Sequence, residues 1–277
     1  MHIYISWAFL LGVMCSVSLL IGALFGIYFK MPKRVVGLMA AFGAGVLNAI
    51  AGGGSFLTFP ALVFAGVPPL AANATSAAAV SPGYLGSTLG FKDELRAIPG
   101  ATLQREVLVA AVGGLIGAGL LMVTPATVFS GLVPWLLLLA TALFALGPRI
   151  AARSAGQGSA AAWRLPGLLA VSIYGGYFNG GLGILLMALY TLTGESRLNT
   201  VNALKNLNSF VLSWLSVAAF AWAGAIVWDQ ALWMMLLATA GGWSGARLAK
   251  RLPTQGVRKL VIGTGLLMSA VFFSRLG

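Results

Sequence analysis

The feature that most constrains this chain is a series of apolar runs, most of them close to the length needed to cross a lipid bilayer. A transmembrane helix needs about 20 consecutive, mostly apolar residues. Only 8% of the 277 residues are charged and 59% are hydrophobic, whereas a soluble domain carries roughly 25% charged residues. Too few polar side chains remain to cover a water-facing surface. The apolar segments lie at about 5–29, 35–64, 70–90, 107–123, 128–146, 167–192, 200–223, 230–246 and 260–274.

This pattern predicts an all-α fold, a polytopic membrane helix bundle of about eight or nine segments. The first run, 5–29, is interpreted as a transmembrane helix rather than a signal peptide, because no Lys or Arg precedes it and it is long enough to span. The net charge of +12 arises from 17 Lys and Arg residues against five Asp and Glu residues. These basic residues fall mostly between the apolar runs, where they orient the chain in the membrane. We therefore predict the lipid bilayer, and not nucleic acid, as the partner of these charges.

Residues that carry catalysis or bind metals are scarce. Cys15 and His2 are the only cysteine and histidine, which disfavours thiolate metal clusters and Ser–His or Cys–His hydrolases. The acidic residues are interpreted as lying in loops or at segment ends: Asp93, Glu94, Glu106, Glu195 and Asp229. On this interpretation the protein has no metal site, no cofactor and no proton relay of buried acids, and it is not an enzyme.

Two halves of the chain resemble each other. Residues 43–76 and 175–208 each contain a glycine-rich break, some ten apolar residues, a short turn (AGVPP or TGESR) and a new helix that opens with asparagines. Internal repeats of this kind build many secondary transporters. We predict a first membrane repeat at 1–147, a polar connecting loop at 148–166 and a second membrane repeat at 167–277.

The basic loops favour an inverted relation between the halves. The segments at 30–34, 148–166 and 247–259 are all basic and prefer the cytoplasm. Counting full crossings places the third of them on the wrong side. The conflict disappears if 167–192, or the segment after it, re-enters the membrane instead of crossing it.

The glycine-rich breaks are predicted to form part of a binding site. A helix broken inside the bilayer is tolerated only where its free backbone groups face protein or a watery cavity. Such a break presents N–H groups at the start of the next half-helix, which favours an anion. The residues concerned are Gly52, Gly53, Gly54 and Ser55 in the first half, and Gly180, Gly181 and Gly183, with Asn179 beside them, in the second. The alternative is close helix packing through small residues.

A second part of the predicted site is Lys205. Asn202 and Asn206 are four residues apart and share a helix face, with Lys205 close to it. An ionisable residue at membrane depth is costly and marks a functional site by default. The alternative is that Lys205 lies near the segment end and snorkels to the interface. A comparable polar stripe without a cation contains Asn73, Thr75 and Ser76.

These motifs resemble the TauE/SafE family of sulfite exporters, part of a wider group of permeases for sulfur-containing anions. The resemblance rests on NAIAGGGSFLTFPAL…GVPPLAANATS and GGYFNGGLGILLMAL…NALKN, and it extends over nearly the whole chain. It implies export or uptake of sulfite, sulfonates or related organic anions across the bacterial inner membrane. It also implies that the following residues line the pathway: Asn48, Gly52, Gly53, Gly54, Ser55, Asn73, Thr75, Ser76, Asn179, Gly181, Gly183, Asn202, Lys205 and Asn206.

The prediction is therefore a secondary transporter that binds a small anionic substrate through backbone N–H groups, amides and Lys205. Two other functions use the same residues. An anion channel would show flux without saturation or counterflow, and a non-transporting membrane scaffold would bind no ligand. The sequence leaves open whether the protein acts alone or as a homo-oligomer.

Overall fold

The computed structural model describes residues 33–50, 52–154, 158–249 and 254–274. The transmembrane helix predicted at 5–29 lies outside the described residues. Every regular element in the described part is helical, as the sequence predicts. The α-helices are α1 (Lys33–Ile50), α2 (Ser55–Phe64), α3 (Pro69–Gly90), α4 (Lys92–Arg96), α5 (Gly100–Val123), α6 (Ala126–Ser154), α7 (Arg164–Tyr177), α8 (Leu182–Leu192), α9 (Leu198–Trp222), α10 (Trp228–Ala249) and α11 (Thr254–Phe273), with a 3₁₀ turn at Gly158–Trp163.

Two of the described helices are long and apolar enough to cross a membrane by themselves. They are Gly100–Val123, which is α5, and the part of α6 at Ala126–Leu143. Leu108, Val112 and Leu120 of α5 are exposed, which fits a surface in contact with lipid. The long helices α3 and α9 carry buried polar side chains along their length, so their apolar character is weaker.

The predicted polar connection at 148–166 is mostly helical where it is described. Helix α6 continues through Ser154, and the 3₁₀ turn leads directly into Arg164, the first residue of α7. The sequence PRIAARS is rich in Ala and Arg, which are strong helix formers, so polarity alone does not end the helix. The division of the chain into two repeats stays a prediction.

Helices α1 and α2 fold back on each other as a hairpin, which we call hairpin 1 (residues 33–64). Gly37 and Leu38 near the start of α1 line one groove together with Leu62 and Ala65 at the end of α2. The start of the first helix and the end of the second therefore lie side by side. The run at this position is thus two short antiparallel helices rather than a single interrupted crossing.

Helices α7 and α8 form a second hairpin, hairpin 2 (residues 164–192), in the region where the charge pattern predicts re-entry. Gly167 near the start of α7 lies against Leu189 near the end of α8: a Cβ on Gly167 would be 2.5 Å from Leu189 Cδ1. Helix α8 has 11 residues, about 16 Å, which is roughly half the hydrocarbon thickness of a bilayer. Helix α8 is therefore too short to cross a bilayer by itself, and in each hairpin the second helix brings the chain back towards the end where the first helix begins.

Glycine is required at both hairpin turns. Gly52 has a φ of +78° and Gly181 a φ of +79°, a conformation that glycine adopts at little cost. A Cβ on Gly54 would lie 2.5 Å from the carbonyl oxygen of Ala44. The breaks that the sequence predicts are thus tight turns between antiparallel helices.

The open ends of the two hairpins lie at opposite ends of the helix bundle. Helix α3 follows hairpin 1 and α9 follows hairpin 2, each after a connection containing a glycine with positive φ, Gly66 (+94°) and Gly194 (+98°). The hydroxyl of Thr75, near the start of α3, accepts a hydrogen bond from the N–H of Val227, just after the end of α9 (3.0 Å). Since α9 is a helix of 25 residues, about 37 Å long, its start lies at the far end of the bundle. The open ends of the two hairpins therefore lie at opposite ends.

Each hairpin packs closely against one long helix through glycines. A Cβ on Gly117 of α5 would clash with the carbonyl oxygen of Ile173 in α7, and a Cβ on Gly45 of α1 would clash with that of Ala238 in α10. Small residues allow this close approach between helices in membranes. Close packing, the alternative interpretation of the glycines, is therefore the role of these positions.

Candidate functional site

The tips of the two hairpins touch in the interior, backbone against backbone. A Cβ on Gly183 would lie 2.8 Å from the carbonyl oxygen of Gly52, and a Cβ on Gly52 would lie 3.1 Å from the Cα of Gly183. The glycines of the first break and Gly181 are buried as well. Folding therefore brings the two predicted glycine groups together in one place.

A chain of hydrogen bonds joins both tips to α9. The Ser55 hydroxyl donates to Asn179 Oδ1 (3.1 Å), and Asn179 Nδ2 donates to Ser213 Oγ (3.3 Å). All three side chains are buried. Ser55 begins α2 and Asn179 lies in the turn of hairpin 2, so the network couples two hairpins and a long helix. Ser213 is not among the residues that the sequence predicts.

Some of the backbone donors at the breaks already have partners. The N–H of Gly52 donates to a carbonyl of α1 (3.2 Å), and the N–H of Gly54 donates to Asn48 Oδ1 (2.8 Å). Asn48 therefore caps the first turn. In contrast, the N–H groups of Gly181 and Gly183 form no hydrogen bond with the part of the chain that the structure describes. The N–H groups of Gly53 and Ser55 also form none with the described residues, so both breaks keep backbone donors open to an anion in this conformation.

The polar stripe of α3 makes contacts between helices. Asn73 Nδ2 donates to the carbonyl oxygen of Tyr177 at the end of α7 (2.9 Å). The hydroxyls of Ser76 and Thr58 lie 2.6 Å apart, and Thr75 accepts the backbone hydrogen bond described above. These three predicted side chains hold α3 against both hairpins and against the loop after α9.

Lys205 lies on α9 at a distance from the hairpin tips. It precedes Ser213 by eight residues, about 12 Å along the helix. Lys205 is 3% exposed and Asn206 is 5% exposed, so the lysine side chain is buried and does not snorkel. Among the described residues, neither of them nor Asn202 has a hydrogen-bond or ion-pair partner.

Polar side chains continue along α9 from this group towards the tips. Residues spaced three or four apart lie on one side of a helix. The set with this spacing, which we call the α9 polar face, consists of Asn202, Lys205, Asn206, Ser209 and Ser213. Ser209 is fully buried and its hydroxyl has no partner in the described part of the chain. The polar face therefore connects Lys205 with Asn179 and the two tips.

Glu106 corrects the interpretation of the acidic residues. It lies in the second turn of α5, not in a loop, and it is 1% exposed. Its Oε1 accepts a hydrogen bond from Arg164 Nε (2.7 Å). Its Oε2 accepts hydrogen bonds from the Tyr190 hydroxyl (2.7 Å) and from Asn208 Nδ2 (3.3 Å). The prediction that no acid is buried is wrong, because hairpin 2 brings Arg164 and Tyr190 to α5 from distant parts of the sequence.

We call the set of Glu106, Arg164, Tyr190 and Asn208 the Glu106 cluster. Its one sequence signal is weak: an acid immediately before an apolar run. Within the described residues, no group of three or more His, Cys, Asp or Glu side chains is placed to hold a metal ion.

Several relatives of this chain have names that describe membrane transporters. A "Probable membrane transporter protein" of Haemophilus influenzae is 30% identical over 243 residues, which cover 85% of this chain and 91% of the relative. A "Probable membrane transporter protein ORF9" of Sinorhizobium is 28% identical over 81% of this chain and 86% of its own. A "Probable membrane transporter protein YfcA" of Escherichia coli is 26% identical over 91% of this chain and 93% of its own. No solved structure matches the chain significantly.

The family model described as "Sulfite exporter TauE/SafE" matches residues 36–272. This range includes hairpin 1 from residue 36 onward, all of hairpin 2, the α9 polar face and the Glu106 cluster. The chain is a multi-pass membrane protein and belongs to the TauE/SafE family of membrane transporters.

Proposed function

We propose that this transporter moves a small sulfur-containing anion, such as sulfite or a sulfonate, across the bacterial inner membrane. The observation that carries the proposal is the buried Lys205 on the α9 polar face. The description of the family, which names sulfite, supports the same class of substrate.

A buried ammonium group needs an anion. Desolvation of an unpaired charge is costly, and in proteins buried charges are normally paired. The one carboxylate that is buried among the described residues, Glu106, pairs with Arg164 and not with Lys205. A substrate anion beside Lys205 would supply the missing counter-charge, and the amides of Asn202 and Asn206 would donate hydrogen bonds to it.

The donors around Lys205 fit an anion with several oxygens. An ammonium group carries three N–H donors and each amide carries two. Sulfite and sulfonate groups each present three oxygens, which can accept hydrogen bonds from different directions. A pyramidal or tetrahedral sulfur oxyanion therefore uses this donor set more fully than a halide does.

The arrangement of the hairpins supports transport by alternating access. Hairpins 1 and 2 enter from opposite ends and meet at Gly52 and Gly183. Movement of one hairpin past the other would expose the α9 polar face to one side of the membrane at a time.

The proposal is tested by counterflow of labelled sulfite in proteoliposomes. Wild type is compared with Lys205→Gln and with Lys92→Gln, whose exposed side chain makes it a control for the loss of one positive charge. We expect saturable counterflow in wild type and Lys92→Gln, with stronger competition from sulfonates and thiosulfate than from acetate. In Lys205→Gln the apparent affinity should fall at least about tenfold, because a hydrogen bond to a charged group contributes roughly 1.5–3 kcal/mol.

Each contrary result has a distinct meaning. Sulfite flux that neither saturates nor shows counterflow would indicate a channel. Unchanged affinity in Lys205→Gln would exclude the assigned binding group. The absence of movement of both labelled sulfite and a labelled sulfonate in wild type would exclude the proposed class of substrate.

A further inference from the structure

We propose that Glu106 is the site at which a coupling proton binds during transport. The inference rests on the proposed function, since it names the second ion handled by the same transporter. Its basis is the geometry of the Glu106 cluster, which the α9 polar face does not use.

Glu106 is a buried carboxylate held by three different helices. Arg164 comes from α7, Tyr190 from α8 and Asn208 from α9. Arg164 and Tyr190 are the charged and titratable groups that face it, and α9 contributes the neutral Asn208. The carboxylate has one counter-charge, so binding of a single proton changes the charge balance of the whole cluster.

The cluster also has a route to water. The Arg164 side chain is 24% exposed while that of Glu106 is 1% exposed. Arg164 is the first residue of α7, at the open end of hairpin 2. A proton therefore reaches the buried carboxylate from the end of the bundle where Arg164 meets solvent.

The proton step is balanced within the cluster. A proton from water binds Glu106 Oε2, the oxygen that faces Asn208, the carboxyl group becomes neutral, and Arg164 loses its counter-charge and turns to solvent. Return of the proton to water restores the carboxylate and its ion pair with Arg164. No oxidant or other reactant takes part.

An unpaired oxygen beside the carboxylate suits the protonated state. Asn208 is completely buried, and its Oδ1 has no hydrogen-bond partner in the described part of the chain. Its Nδ2 donates towards Glu106, Tyr190 and the carbonyl of Leu204. If the amide rotates, Oδ1 can accept the O–H of a protonated Glu106. The cluster thus holds an acceptor that its ionised form leaves unused.

Proton binding would act on hairpin 2. Arg164 and Tyr190 lie on the two limbs of this hairpin at its open end, and both are bound to Glu106 of α5. The ionised carboxylate therefore clasps hairpin 2 to the long helix, and the neutral form releases the Arg164 limb. The tip of the same hairpin carries Asn179 and Gly183, which contact hairpin 1.

The test compares exchange with accumulation in proteoliposomes, using labelled isethionate, a sulfonate whose charge stays constant over the pH range. Exchange is measured at equal pH, and accumulation is measured under an imposed pH gradient. The variants are Glu106→Gln, Tyr190→Phe and Asp93→Asn, whose side chain is 79% exposed and serves as the control acid.

We expect wild type and Asp93→Asn to exchange isethionate and to accumulate it under the gradient. Glu106→Gln should keep exchange, while its accumulation falls to the level measured without a gradient. In Tyr190→Phe the carboxylate loses one hydrogen bond to its charged form, so the pH profile of accumulation should differ from that of wild type. A merely structural ion pair would not move this profile.

Glu106→Gln that accumulates isethionate like wild type would overturn the proposal. If Glu106→Gln loses exchange as well, the pH profile of accumulation in Tyr190→Phe decides. A profile that differs from that of wild type supports the proton site, and an unchanged profile excludes it. Wild type that exchanges isethionate without responding to the gradient contradicts only the proton site. Wild type that exchanges neither isethionate nor sulfite contradicts the proposed function itself.

Discussion

If Lys205 binds the substrate anion as proposed, this residue has opposite effects on folding and on binding. The residue is 3% exposed, and a buried charge without a partner destabilises the folded protein. An anion that binds only the folded state offsets this cost and stabilises the protein in proportion to its concentration. The same side chain therefore weakens the empty protein and makes it responsive to substrate.

This leads to a prediction for Lys205→Met, which keeps a long side chain and removes the charge. Without anion, the free energy of unfolding of the variant should exceed that of wild type by about 1–3 kcal/mol. Its unfolding temperature should therefore be higher. Addition of sulfite should raise the unfolding temperature of wild type but not that of the variant. The measurement is thermal unfolding in detergent, with Lys92→Met as control. A variant that sulfite still stabilises would contradict the binding role.

A second prediction at this scale concerns Gly183. A Cβ at this position would lie 2.8 Å from the carbonyl oxygen of Gly52, so Gly183→Ala forces the two tips apart. Overpacking of this kind lowers the free energy of unfolding by about 1–3 kcal/mol. We expect a lower unfolding temperature and slower counterflow than in Gly119→Ala, a position where an added Cβ meets nothing within 4 Å. Equal behaviour of the two variants would show that the tips do not touch.

The sequence predicts the chemical character of the site residues better than their partners. The polar side chains at Asn48, Ser55 and Asn73 are recognisable because they interrupt apolar runs. Their hydrogen bonds are not, since Ser55 reaches Asn179 across 124 residues of chain. The sequence also suggests one site, whereas Lys205 and the tips are about 12 Å apart along α9.

At the scale of elements, the hairpins show what an apolar run does not reveal. The run at 35–64 has the length of a tilted transmembrane helix, and its glycines mark the break correctly. Whether the chain continues across the membrane or turns back after the break depends on tertiary contacts such as that of Gly54 with Ala44. Hydropathy is the same in both cases, so it cannot distinguish them.

The connections after the hairpins allow a matched test of the two halves. Gly66 and Gly194 have similar positive φ angles, and an added Cβ at Gly194 meets nothing within 4 Å. Gly66→Ala and Gly194→Ala should therefore each lower the free energy of unfolding by about 1–2 kcal/mol through backbone strain. The measurement is the unfolding temperature, with Gly119→Ala as the helical control. If the two substitutions change the unfolding temperature by very different amounts, the turns in the two halves are not equivalent.

At the scale of the whole molecule, the opposite entry of the hairpins predicts a pattern of accessibility. Asp229 lies beside the open end of hairpin 1, and Ser196 follows the open end of hairpin 2. In a Cys15→Ser background, Asp229→Cys and Ser196→Cys should be labelled by a membrane-impermeant thiol reagent from opposite sides. The experiment compares right-side-out with inverted membrane vesicles. Labelling of both from one side would exclude opposite entry.

The Glu106 cluster is the part of the molecule that local patterns describe least well. A carboxylate near the start of an apolar run is normally placed at the membrane surface, where water solvates it. Here the fold-back of hairpin 2 covers Glu106 with Arg164 and Tyr190, so its burial is a property of the assembled bundle. The all-helical architecture follows from composition and run length, because these are averages over many residues.

In the proposed alternating-access mechanism, the contact between Gly52 and Gly183 both closes the pathway and is the place where the hairpins move past each other. Gly52 and Gly183 have no side chains, so movement of one hairpin tip past the other would require no change of side-chain rotamer at these two positions. The two backbones approach this closely because neither residue has a side chain. Any side chain larger than hydrogen at either position would act as a wedge.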